Sequence, residues 1–208
     1  MASTKTDSGS DVLTHLRTAT RALHTRIDTG LPLARHNATL ADYGAHVRLV
    51  HAWMTRMTAT LAAFDDAPAH FGSVSNRNST AWLAADVGAA GLQPGASDGA
   101  ADTAAVPSAL AEPAFRWGMQ YVIEGSYMGA GFLHRRYAPL FPDCPMVFFT
   151  HVSAINTQRW SAFGLAIRAA VDDPAGIALA AEGATYAFHR FMHLADAGQP
   201  NPHLETQP

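Results

Sequence analysis

Apolar residues recur along this chain at alternating steps of three and four, the spacing that brings side chains onto one face of an α-helix. Over residues 11–28 they are Leu13, Leu16, Leu23 and Ile27, with Thr20 standing in the one gap. Thr39 and Asp42 have the spacing of an N-cap and an N3 acid. They open a long helix over 39–63 that carries Tyr43, Val47, Val50, Trp53, Met54, Met57 and Leu61. A shorter helix is expected over 80–90. The pattern then lapses: 91–108 is rich in Gly, Ala, Asp and Pro without a period, and reads as a flexible surface connection inside one domain. Helical spacing returns over 113–137 and, after the breaks at Pro142 and Pro145, over 146–171. A last helix starts at Pro174 and carries Ile177, Leu179, Ala184, Phe188, Phe191 and Leu194. No run alternates apolar and polar residues as a half-buried strand would, so the expected fold is all-α.

Beside the apolar face of the first helix, Arg17, Arg21, His24 and Asp28 follow one another at steps of four, three and four and share a narrow stripe. A histidine on that border can offer an imidazole nitrogen to a buried metal, while Asp28 one turn on accepts its other N–H and fixes the tautomer. Arg21 and Arg17 lie within reach of carboxylates on the edge of a ligand. The plainer alternative, also open at this point, is a histidine at the rim of the core beside a solvated row of charges.

In the middle helix one face reads Phe115, Gly118, Val122, Gly125, Gly129 and Phe132, so half of it is glycine. Each glycine inside a helix costs roughly 1 kcal/mol relative to alanine, and three cost about 3 kcal/mol. Something must approach this backbone closely. A membrane dimer is excluded by Arg116, Glu124, His134, Arg135 and Arg136 on the same helix. A tight helix crossing and a flat ligand pressed on the helix both fit the spacing.

The composition narrows the field further. The 208 residues suit one well-packed domain, expected over 11–198 between polar tails at 1–10 and 199–208. Hydrophobic residues make up 48% against 15% charged, the balance of a chain with a large apolar interior. A net charge of −3 gives no basic field for a phosphate backbone, so nucleic acid is not an expected partner. Cys144 is alone, which removes intramolecular disulfides and thiolate clusters and suits the cytoplasm. No apolar run is long enough for a membrane span. The four glutamates, none followed three residues later by histidine, argue against a di-iron carboxylate protein. His189 and His193 are four apart and could chelate a metal, although exposure is the commoner fate of such pairs. His46, His51 and His151 lack partners at ligand spacing and read as surface or core-edge residues.

The string LRTATRALHTRID (16–28) resembles the proximal helix of heme oxygenases, and YVIEGSYMGAGFL (121–133) is similar to the distal helix of the bacterial branch, with its EGSxxGG pattern. The likeness runs from about 11 to 195. It implies a single-domain heme oxygenase-like helical bundle with His24 as axial iron ligand and Asp28 as the partner of that histidine. Gly125 and Gly129 would cover the open face of the iron. Arg17 and Arg21 would face the propionates, Arg135 would serve the heme edge, and Phe188 would line the pocket. Two positions depart from the family pattern. Ser126 stands where the mammalian-type enzymes have an aspartate that orders water, and Ala130 replaces a further glycine. The implied activity is oxidative ring opening of heme, at once substrate and cofactor, to biliverdin with release of carbon monoxide and ferrous iron. It would use O2 and electrons from an external reductase or ferredoxin, with Gly125, Ser126 and Gly129 nearest the chemistry. The competing reading is a heme carrier or sensor on the same fold without turnover.

Overall fold

The computed structural model describes residues 11–89 and 106–197, and among them it has six long α-helices and no strand. They are α1 (Val12–Gly30), α2 (Leu40–Ala62), α3 (Ala67–Ala89), α4 (Pro113–Tyr137), α5 (Val147–Ala170) and α6 (Pro174–Ala197). Short 3-10 turns at Pro32–Ala34 and Ser108–Ala111 lead into α2 and α4. The expected tails and most of the 91–108 connection lie outside the described residues. The all-α architecture is as expected, and every helix except α3 has the bounds the periodicity predicts to within two residues.

Helix α2 starts where its cap residues require. The Thr39 side chain accepts from the Asp42 amide and the Asp42 carboxylate accepts from the Thr39 amide, a complete capping box. All seven apolar residues expected on its inner face are buried. Helix α3 corrects the expectation of 80–90, because it begins thirteen residues earlier, at Ala67. Its inward face is Gly72, Asn76, Ser79, Leu83 and Asp86, all buried. The period is helical but the residues are mostly polar, so a search for apolar repeats passes over them.

Helix α4 is the centre of the fold and packs most extensively against α6 and α5, while α1 packs mainly on α6. The α4–α6 seam is built on bare backbone. A Cβ on Gly118 would lie 1.8 Å from the Ala180 carbonyl oxygen, and one on Gly183 would lie 1.9 Å from that of Phe115. Each helix presses its backbone against the other at a glycine, which only a side-chain-free position permits. Across the bundle, the Trp53 indole N–H donates to the Ala187 carbonyl at 3.0 Å and ties α2 to α6.

Helix α5 begins at Met146, whose φ of 43° is left-handed. The first amides of the helix are taken by a side chain from elsewhere: Asp86 of α3 accepts from Val147 N–H at 2.6 Å and Phe148 N–H at 2.9 Å. The Tyr43 hydroxyl donates to the same carboxylate at 3.2 Å. Burial holds the Asp86 carboxyl above its ordinary range, and the bonds it accepts pull the other way. This clamp fixes Phe148 and Phe149 at the head of α5.

Candidate functional site

A cavity of about 710 Å³ opens among α1, α2, α4, α5 and α6. That volume lies in the ordinary range for cofactor and small-ligand sites, about 300–1,000 Å³. The α1 stripe found by spacing lines one wall, since Arg17, Arg21, His24 and Asp28 all face the cavity. Arg17 and Arg21 form no ion pair with any described residue. Asp28 lies 2.7 Å from His24 Nδ1 through Oδ2. With Nδ1 as the donor of that bond, the lone pair remains on Nε2. Phe188 of α6 stands beside this pair, its ring centroid 6.0 Å from that of His24 with the planes tilted by 59°.

The α4 wall of the same cavity includes Gly125, Ser126, Gly129 and Ala130. A Cβ built on Gly125 or Gly129 would meet nothing within 4 Å. The glycine row therefore serves two ends: Gly118 makes the α4–α6 crossing, while Gly125 and Gly129 leave helical backbone bare towards the cavity. The crossing alternative holds at Gly118, and the open space beside Gly125 and Gly129 leaves room for the other. Gly131, off that face, meets Asn156 of α5 instead. A model of the family described as heme oxygenase matches residues 10–197.

The chain belongs to the heme oxygenase family.

Comparison with curated proteins and with solved structures gave no significant match. The walls of this one cavity include Phe148, Phe149, Phe188 and Phe191, the His24 imidazole oriented by Asp28, and the guanidinium groups of Arg17 and Arg21, which pair with no described acid. Among the described residues there is no cluster of three or more metal-ligating side chains.

Some expected residues stand differently. Ser126 lines the cavity, but its hydroxyl donates to the Ile123 carbonyl at 2.6 Å, so towards a ligand it can only accept. Arg135 is exposed near the end of α4 and does not line the cavity. Phe132, placed on the same face as the glycines, is 57% exposed. His189 and His193 are exposed on α6.

Two features escaped the spacing. Behind the bare face of α4 lies a buried polar network. Glu124 pairs with Arg159 of α5 at 2.5 Å and accepts from Gln120 at 2.7 Å. Gln120 in turn accepts from Asn76 at 3.1 Å, Tyr127 donates to Asn76 at 3.1 Å, and Ser79 reaches the Tyr127 hydroxyl at the same distance. Burial pushes the Glu124 carboxyl upward and Arg159 opposes it. The network holds the residue before Gly125 from behind. Each of its members looks like an ordinary polar helix residue in the sequence, and only the fold brings them together.

The second feature is His46. It shares the inner face of α2 with Val50 and Trp53 and is half-buried, as a core-edge residue is expected to be, but the edge it stands on is the cavity wall. Its Nδ1 is fully enclosed and has no hydrogen-bond partner. Such a buried polar atom costs about 1–3 kcal/mol. Desolvation lowers the imidazole from its ordinary 6.5 to about 4. The unfolded chain therefore binds more protons between those values, and stability is lost as pH falls from about 6.5 towards 4. This one group contributes a slope of at most about 1.4 kcal/mol per pH unit. Chemical denaturation of the wild type and of His46→Phe across that window should show the wild type losing the larger share of its stability. Equal losses would mean that His46 is charged in the fold.

Proposed function

We propose that this chain cleaves heme oxidatively, opening the ring to biliverdin with release of carbon monoxide and ferrous iron, and that His24 is the axial iron ligand. The observation that carries this reading is the meeting, in one cavity, of the His24–Asp28 pair with the bare backbone at Gly125 and Gly129. When bound, heme supplies the iron at which O2 is reduced, with electrons from an external reductase or ferredoxin, and supplies the ring that is opened.

The protein's part is orientation and exclusion. Asp28 accepts a hydrogen bond from His24 Nδ1–H and fixes the ring, which would leave the Nε2 lone pair for the iron. Arg17 and Arg21 would hold the propionate carboxylates. Gly125 and Gly129 present backbone where any side chain would push the ring away. Ser126, its proton committed to Ile123, offers a lone pair to an ordered water. Phe188 fills the side next to His24, and the surrounding aromatic rings keep bulk water out.

No helix among the described residues is long and apolar enough to cross a membrane. The purified protein loaded with hemin, given a reductant in air, should lose its Soret band while biliverdin absorption grows and carbon monoxide is released. An unchanged spectrum would overturn catalysis and leave a heme carrier or sensor.

A further inference from the structure

The proposal here rests on the heme-binding reading above and concerns the side of the cavity formed by α2. We propose that His46 donates a hydrogen bond from Nε2 to a small polar ligand held in the cavity, a water molecule in the resting protein and an anion such as azide when one is supplied.

His46 occupies a wall that is otherwise apolar. Val50 and Trp53 follow it on α2, and Phe148, Phe149 and Leu133 come from α5 and α4. Its ring meets Phe149 at 6.3 Å between centroids with the planes 63° apart, a contact that phenylalanine would make equally well. Hydrophobic packing therefore does not call for an imidazole at this position. Neither ring nitrogen bonds to another described residue. An imidazole set in an apolar cavity wall, with a second nitrogen that is not enclosed and bonds to no described residue, points to a partner that comes with the cavity's contents.

The two nitrogens differ in a useful way. Nδ1 is enclosed and beyond the reach of any ligand, whereas Nε2 is not enclosed. An orphaned N–H is tolerated less well than an orphaned lone pair. The neutral tautomer with its proton on Nε2 therefore relieves the enclosed atom and aims a donor at the open space. Desolvation, which keeps the ring uncharged, supports the same assignment. His46 would then be the one uncharged side-chain N–H on the cavity wall outside the α1 stripe and the indoles of Trp53 and Trp160. The Trp53 N–H is already committed to Ala187.

The test uses the full chain loaded with hemin and titrated with sodium azide, in the wild type, His46→Phe and His46→Gln. Phenylalanine keeps the contact with Phe149 and removes the donor, while glutamine restores a donor without the ring. His46→Phe should weaken azide binding about tenfold or more, as loss of a hydrogen bond to a charged acceptor implies. His46→Gln should stay within about threefold of the wild type. The stretching frequency of the carbon monoxide complex should rise in His46→Phe and return towards wild type in His46→Gln. A purely structural residue would move neither reading in this order. Azide affinity unchanged in His46→Phe, or lost equally in both variants, overturns the proposal. So does a wild-type resting spectrum with two axial imidazoles that His46→Phe abolishes, since His46 would then bind iron directly. Hemin uptake by the wild type is measured first. If it fails, the heme-binding reading falls and takes this one with it; if it succeeds, an azide result against His46 falls on His46 alone.

Discussion

His24→Ala is expected to leave the folded protein essentially intact while ring opening falls by about a hundredfold or more. The side chains of His24 and Asp28 are 63% and 59% exposed, and an ion pair at that exposure contributes no more than about 1 kcal/mol. Thermal unfolding should therefore barely move. On the proposed reading, in contrast, the iron loses the nitrogen that Asp28 orients on the α1 wall. Outer-shell partners of a metal ligand are worth about 10–100-fold, so the ligand itself must be worth more and Asp28→Ala should fall within that range. The hemin complex of His24→Ala should show a changed Soret band, and imidazole added to the buffer should restore part of both absorption and turnover. A variant that kept the wild-type spectrum and rate would remove His24 from the iron.

The second large effect is on stability. Gly183→Ala, and likewise Gly118→Ala, should destabilise the protein by about 3 kcal/mol or more, because the added methyl meets a backbone carbonyl rather than a movable side chain. Relief requires α4 and α6 to part along the fold's most extensive contact. Gly125→Ala and Gly129→Ala should behave in the opposite way. They gain up to about 1 kcal/mol of helix propensity, meet nothing in the protein, and instead weaken hemin binding. Urea denaturation paired with hemin titration separates the two classes. Equal destabilisation at all four positions would mean that the α4–α6 seam and the cavity face are not distinct.

These contrasts show where the sequence is readable. The α1 stripe is legible because four residues at helical spacing need only a helix to come together, and the helix announces itself through Leu13, Leu16, Leu23 and Ile27. The apolar face of α2 and the bounds of α4 are legible for the same reason. The first half of α3 is not, because its buried face is Gly72, Asn76 and Ser79, which are satisfied by α4 rather than by one another. Spacing also cannot separate Gly118 from Gly125, since what distinguishes them is the presence of α6 on one turn and open space on the next. His46 has no partner at ligand spacing on its own helix, and its place in the cavity wall depends on α4 and α5, which spacing along α2 does not reveal. Arg135, by contrast, sits in a basic last turn of α4 that points outside the cavity. The family resemblance of the two motifs gave the fold, whereas the wall contributed by α2 had no motif to carry it.

The Asp86 clamp has a bearing on how the site keeps its shape. The start of α5 is marked locally by Pro145 but has no cap of its own, since Met146 offers no side-chain bond and the carboxylate that collects the first amides lies 61 residues upstream of Val147. The cap of this helix is thus a tertiary contact rather than a local one. The rings of Phe148 and Phe149 in the pocket wall are held in place by α3, a helix that contributes no lining residue of its own.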